Sequence, residues 1–219
     1  MDKPLILYGG RGTGSVAVEA ALTLLDLAYD VIEQPALASA RRDQRAAAVN
    51  PLRQVPALIL ADGEILTESA AIQIWLADRY PEGRLAPGPL APARAAFLRW
   101  MAFVSAQIYA LFWIRDDPAR LADSETHQAL VLARTAERIS HCWRTMDAQI
   151  SPGTYLLGDE LSVLDLYVAV ISRWGPGRRR FYAAAPKMAE VVRRVDAAPR
   201  LGALWAERFP FTEGWEDPA

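Results

Sequence analysis

Several residue types are scarce in this 219-residue chain, and each scarcity closes off a chemistry. There is one cysteine, Cys142, so no disulfide can form within the chain. Met1-Asp2-Lys3-Pro4 leads into an apolar run too short for the core of a secretory signal, which points to a soluble protein of the reducing cytoplasm. The two histidines, His127 and His141, lie too far apart in a helical stretch to share a face, and no carboxylate pair completes a ligand set, so no metal is expected. The net charge of −2 gives no electrostatic case for nucleic acid or an acidic membrane surface. No stretch stands out as approaching the roughly 18 apolar residues of a spanning helix. There is no internal repeat and no low-complexity tract.

What is present is 52% hydrophobic residues, enough to bury one large or two small cores. The first eighty residues alternate in pattern: strand Leu5–Tyr8, helix Val16–Leu27, strand Asp30–Glu33, helix Arg41–Val49, then Ala57–Leu60 and Glu64–Leu66 around an Asp62-Gly63 turn. Helix Ser69–Tyr80 follows, giving the order βαβαββα. Residues 81–92 carry four prolines and two glycines and read as a linker. Beyond it strand signals stop, and Ala93–Phe112, Glu125–Ile150, Val163–Trp174, Pro186–Asp196 and Leu201–Glu207 read as helices. Ser162 and Asp165 form an acidic variant of a capping box at one helix start, a structural role for Asp165. The expectation is an α/β domain over residues 1–80 and an all-α domain over 93–219.

Four glycines fall at positions 9, 10, 12 and 14, between the first strand and the first helix. A P-loop is excluded, because no lysine lies between Lys3 and Lys187 to meet terminal phosphates. A dinucleotide fingerprint does not fit either, since Ser15 stands where the third glycine belongs and the strands Ala57–Leu60 and Glu64–Leu66 read as a hairpin. What remains is a helix N-terminus, whose unpaired N–H groups and dipole favour an anion such as a thiolate. With no cysteine nearby, that thiolate has to arrive with a ligand.

Downstream, Asn50-Pro51-Leu52-Arg53-Gln54-Val55-Pro56-Ala57-Leu58 sets a proline directly before a strand, a fixed turn open to a cis bond. A cis Val55-Pro56 bond exposes the Val55 backbone for pairing with a peptide-like ligand. Leu66-Thr67-Glu68-Ser69 ends a strand and opens a helix. Ser69 suits a carboxylate at a helix N-terminus and Glu68 an ammonium, which together fit an α-amino-acid head group.

These motifs, in this order and continuing through Tyr80-Pro81-Glu82 to Leu157-Gly158-Asp159-Glu160-Leu161-Ser162-Val163-Leu164-Asp165, closely resemble cytosolic glutathione S-transferases of bacterial type. The resemblance covers nearly the whole chain. It implies a thioredoxin-like N-terminal domain followed by a helical domain, and glutathione as cosubstrate. Val55 and Pro56 would meet the cysteinyl backbone, Glu68 and Ser69 the γ-glutamyl end, and Arg53 either the glycine carboxylate or solvent. A small hydrophobic electrophile would sit against the helical domain, where Tyr109, Phe112 and Trp113 are the candidate contacts. The resemblance also implies a homodimer.

Three departures bear on the chemistry. The position that often holds a cysteine in bacterial members falls on Gly14, which excludes thiol transfer through that residue. Thiolate activation then falls to the hydroxyl of Ser15 or Thr13, with Tyr8 a weaker third. Ser15 is equally read as an ordinary helix N-cap. Tyr109-Ala110 stands where several relatives carry His-Lys, so that Tyr109 offers a hydrogen bond to a substrate or to the sulfur while Ala110 supplies no charge, and Arg53 stands where a glycine is common. Arg178-Arg179-Arg180 reads as a solvated loop or a rim contact for an acidic substrate, Cys142 as a small buried residue, and the aromatic tail Phe209–Trp215 as a segment that folds back over a groove or caps the active site. Two functions follow: a glutathione transferase, or a non-catalytic binding or assembly module of the same fold.

Overall fold

The computed structural model describes residues 4–34, 44–174 and 177–210. Strands β1 (Leu5–Gly9), β2 (Tyr29–Glu33), β3 (Ala57–Ile59) and β4 (Ile65–Thr67) form one sheet in the order β2-β1-β3-β4. β1 runs parallel to β2 and antiparallel to β3, and β3 runs antiparallel to β4. Leu7 is central, paired with Val31 on one side and Leu58 on the other. Leu5, Leu7 and Gly9 alternate inward along β1. The turn between β3 and β4 is the expected Asp62-Gly63, with Gly63 at φ +92° and the Glu64 N–H donating to the Asp62 carboxylate at 3.0 Å.

The crossover from β1 to β2 is α1 (Ser15–Leu24), and every residue from Ser15 to Leu22 is buried. It ends three residues before the expected Leu27, because Asp26 turns left-handed at φ +53° so that the chain can reverse into β2. Of the helix expected over Arg41–Val49, Gln44–Val49 is observed as α2, and residues 41–43 lie outside the described residues. Helix α3 (Ser69–Arg79) packs with α1 on the same side.

The second half contains α4 (Arg94–Phe103), a π-helical turn (Val104–Tyr109) and α5 (Ala110–Asp116), which run on as one helical stretch. They are followed by α6 (Glu125–Gln149), α7 (Val163–Ile171), α8 (Arg178–Ala184), α9 (Pro186–Asp196) and α10 (Gly202–Arg208). The stretch Arg94–Asp116 corrects one expectation: with a mean hydropathy of 1.4 over 18 residues, it is long and apolar enough by composition to span a bilayer. Its buried side chains Phe97, Trp100, Met101, Val104, Ile108 and Phe112 belong to the protein core, the ordinary use of such a helix in a folded domain.

The reading of Arg178–Arg180 as a loop is also corrected. They open helix α8, and Arg178 is fully buried, its guanidinium bonded to Asp196 and to the Ala169 carbonyl at 2.8 Å. Arg173 meets the same carboxylate at 2.6 Å. The tail beyond Pro210 lies outside the described residues.

Helix α7 is buried along its whole length and packs on α1, α3, α4 and α9, so one apolar core runs through both halves. Its start is the expected acidic capping box. The Asp165 carboxylate accepts from the Ser162 N–H at 2.8 Å, the Ser162 hydroxyl at 2.7 Å and the Leu156 N–H at 2.8 Å. A buried ion pair also joins the halves: Arg208 Nε lies 2.7 Å from Glu19 Oε2, with 7% and 1% of the side chains exposed, and Arg208 also reaches Glu33. Burial pushes the Glu19 carboxyl upward while Arg208 opposes it.

Removing Arg208 strands a buried carboxylate. Arg208→Ala is expected to destabilise the fold by about 3–5 kcal/mol, read from urea unfolding. Glu19→Gln combined with Arg208→Met, which leaves no buried charge, should lose much less. Equal losses in the two variants would count against the pair.

Asp165 gives a pH signature. Burial holds its carboxyl up at about 6 despite the three donors. A folded value above the unfolded value of about 3.9 means that the folded state binds the proton more tightly. This contribution to stability is complete below about pH 4 and is lost as the pH rises through about 6. The stability difference between the native chain and Asp165→Asn should therefore shrink by on the order of 2 kcal/mol from pH 4 to 7. A difference that does not vary with pH would rule out the elevated carboxyl.

Candidate functional site

A cavity of about 940 Å³ opens between the two halves, bounded by the turn ahead of α1, the segments before β3 and α3, and the helix from Ser105 to Asp116. Each wall follows from a local feature of the chain.

The first wall is the glycine turn. Gly12 is at φ +69°, a conformation that favours glycine, and Gly12, Thr13 and Gly14 line the cavity. The helical half pins this turn from outside: the Gly12 N–H donates to the Arg208 carbonyl at 2.8 Å, and the Trp174 indole N–H donates to the Gly12 carbonyl at 2.7 Å.

Of the expected hydroxyls, Ser15 is buried beneath this turn. Its oxygen accepts from the Gly10 N–H at 3.0 Å and lies 3.2 Å from both the Gly10 carbonyl and the Glu19 carboxylate. Gly14, not Ser15, occupies the N-cap position of α1. Thr13 does face the cavity, but its hydroxyl donates to the Gly10 carbonyl at 2.8 Å and accepts from the Ser15 N–H at 3.2 Å. Tyr8 does not line the cavity.

The second wall combines Arg53, Val55 and Pro56 with Glu68 and Ser69. The Val55-Pro56 bond is cis, as the sequence suggested. Asn50 shapes the approach by donating to the Gln54 carbonyl at 3.0 Å and accepting from the Leu52 N–H at 3.0 Å. Arg53 and Glu68 both hold positive φ, +54° and +65°. For non-glycine residues this costs energy and tends to persist at ligand sites. Ser69 is the first residue of α3, and its hydroxyl lies 2.9 Å from the Tyr167 hydroxyl of the helical half. Burial pushes that phenol up to about 12.

The third wall is aromatic. Phe112 is buried and Trp113 is 44% exposed at the rim, where the Arg120 guanidinium lies over its ring at 4.6 Å. Tyr109 packs against Trp174 at 4.8 Å between centroids and Tyr167 at 6.1 Å, and Phe112 against Trp174 at 5.0 Å. Burial raises the Tyr109 phenol far above its ordinary value, with the charges of Asp116 and Glu68 adding to the effect. Arg115 and Asp116 close the rim, the first lowered and the second raised chiefly by burial.

The cavity thus gathers Thr13, Arg53, Val55, Pro56, Glu68, Ser69, Tyr109, Phe112 and Trp113, and leaves Ser15 outside. Trp174 and Tyr167 went unrecognised in the sequence. Both fall in the stretch Val163–Trp174 that reads as a helix, and nothing local in the sequence marks either one. No cluster of metal-ligating side chains occurs among the described residues.

Comparison with known proteins agrees with this architecture. The profile of the glutathione S-transferase N-terminal domain matches residues 15–84. The chain is 31% identical to an uncharacterized GST-like protein, YncG, of Escherichia coli K12, over 89% of this chain and 94% of that one. It is 26% identical to the glutathione S-transferase GstA of Escherichia coli O157:H7, over 73% and 77%. A solved glutathione transferase homologue from Sulfitobacter with bound glutathione superposes with a TM-score of 0.82 at 29% identity, covering 93% of this chain and 97% of that one. The chain belongs to the glutathione S-transferase family, with a thioredoxin-like sheet half followed by a helical half.

Proposed function

We propose that this chain is a glutathione transferase that presents the glutathione thiolate to a small hydrophobic electrophile. The observation that carries this reading is the convergence of four features on one cavity: the N-terminus of α1, the cis Val55-Pro56 bond, the Glu68-Ser69 pair and an aromatic wall from the other half. The Sulfitobacter relative, solved with glutathione bound, supports the ligand.

In this reading the Val55 backbone pairs with the cysteinyl backbone of glutathione. Glu68 takes the γ-glutamyl ammonium, the start of α3 at Ser69 takes its carboxylate, and Arg53 meets the glycine carboxylate. The sulfur then lies ahead of α1, where the dipole of that helix favours its charged form. Lowering a thiol from about 8.5 to about 6.5 makes most of it thiolate at neutral pH for about 2.7 kcal/mol. The electrophile rests against Phe112 and Trp113, and the rate gain comes from positioning and from stabilising the sulfur charge.

A second reading, a non-catalytic binding or assembly module of the same fold, draws on the position of Ser15: its hydroxyl is buried and turned away from the cavity. Glu68→Ala with Ser69→Ala should raise the dissociation constant for glutathione at least about ten-fold, roughly 1.4 kcal/mol, by titration calorimetry. Unchanged affinity would remove the ligand assignment. Binding without turnover of any of several classes of electrophile would favour the module.

A cytoplasmic homodimer accompanies the first reading. β4 is an edge strand with Ile65 exposed, and α4 exposes Leu98, surface suited to a second copy. Sedimentation should give twice the mass of the chain, and a monomeric mass at micromolar concentration would contradict the dimer.

A further inference from the structure

Gly14 poses a question that its backbone does not answer. Its φ of −63° and ψ of −13° are open to any residue, so no left-handed turn requires glycine there. The requirement is spatial. A Cβ at position 14 would lie 2.2 Å from the Tyr109 hydroxyl oxygen and 2.8 and 2.9 Å from the adjacent ring carbons. The phenol of the helical half therefore occupies the volume that a side chain at the N-cap of α1 would otherwise fill.

We propose that Tyr109 is the hydrogen-bond donor that stabilises the ligand sulfur as a thiolate, delivered across the domain boundary into the space that Gly14 leaves open. The proposal rests on the reading of the cavity as a glutathione site.

Four observations carry it. The phenol oxygen faces the Gly14 N–H, which it can accept, leaving its own hydrogen to donate. No hydrogen bond donated by the Tyr109 hydroxyl occurs among the described residues, whereas the Thr13 hydroxyl is directed to the Gly10 carbonyl at 2.8 Å and Ser15 is buried. Tyr109 ends the π-helical turn Val104–Tyr109, in which the Ala110 N–H reaches back to the Ser105 carbonyl. The extra residue in that turn changes where the following side chains point, and such turns recur at functional sites. Finally, the ring is braced by Trp174, whose indole holds the glycine turn itself.

Burial favours the neutral form of the phenol, as do Tyr167 from α7, Asp116 from α5 and Glu68 before α3, and these outweigh the Gly14 N–H, which favours the charged form. The phenol therefore stays protonated through the range in which a thiol ionises. It donates a hydrogen bond without giving up its proton, and the thiol proton leaves to solvent.

The test titrates the thiolate absorbance of glutathione bound to the full chain, after calorimetry has established binding. In Tyr109→Phe, which keeps the ring, the thiol pKa should rise by about one unit or more, with glutathione affinity at low pH nearly unchanged. At neutral pH kcat/KM should fall about ten-fold or more, and the loss should disappear as the pH rises above the new thiol pKa. Gly14→Ala, whose methyl group displaces the phenol, should give the same shift. Gly14→Ala combined with Tyr109→Phe should be little worse than either change alone. An unchanged thiol pKa in Tyr109→Phe with glutathione bound would overturn the proposal. So would a shift that survives in Tyr109→Phe and vanishes in Thr13→Val, which gives the role to Thr13. No glutathione binding by the unaltered chain overturns the functional reading, and this assignment with it.

Discussion

The site depends on how one turn is held. Residues 10–14 bridge the central strand and the helix whose N-terminus faces the cavity, and the Thr13 and Ser15 hydroxyls close the turn on Gly10. Their position is set from across the molecule by two backbone bonds to Gly12, one from the Trp174 indole and one to the Arg208 carbonyl. Arg208 reaches further, to Glu19 in the middle of α1. The residues that hold the turn from outside lie more than 160 positions away in sequence, and the cavity exists only when both halves are docked. In a low-dielectric interior such charge-assisted contacts fix orientation, even where their net contribution to stability is modest.

This explains what was legible in the sequence. Elements defined by local periodicity or turn chemistry were readable: the alternation of β1, the Asp62-Gly63 hairpin and the Ser162–Asp165 helix start. So were the fixed turn at Val55-Pro56 and the strand-to-helix step at Glu68-Ser69, because each is a contiguous feature. What could not be read was set by tertiary contact. Ser15 looked like an available hydroxyl because nothing nearby in sequence announces Glu19 as its partner one helical turn on, buried by Arg208. Arg178 looked like part of a solvated loop because Asp196, 18 residues on, gives no local sign of the pairing.

The apolar stretch Arg94–Asp116 shows the same limit from another side. Composition alone does not distinguish a helix that faces lipid from one that faces protein, and only the packing of Phe97, Trp100 and Ile108 into the common core separates the cases. The π-turn at its middle has no recognised sequence signature. Tyr109, Phe112 and Trp113 were expected in the wall facing the glycine turn, but the close approach of Tyr109 to Gly14 is a tertiary contact that no local pattern announces.

The continuous core has a consequence for how such chains diversify. Helix α1 is buried between the sheet and α7, and its one interior carboxylate is matched by a guanidinium from the far end of the chain. The two halves are therefore not interchangeable modules. A helical half that lacked these contacts would bring no arginine to Glu19 and no phenol to the space beside Gly14. Exchange at the linker is open only to partners that already share this seam, so the seam restricts the ancestry of each half to that of the other.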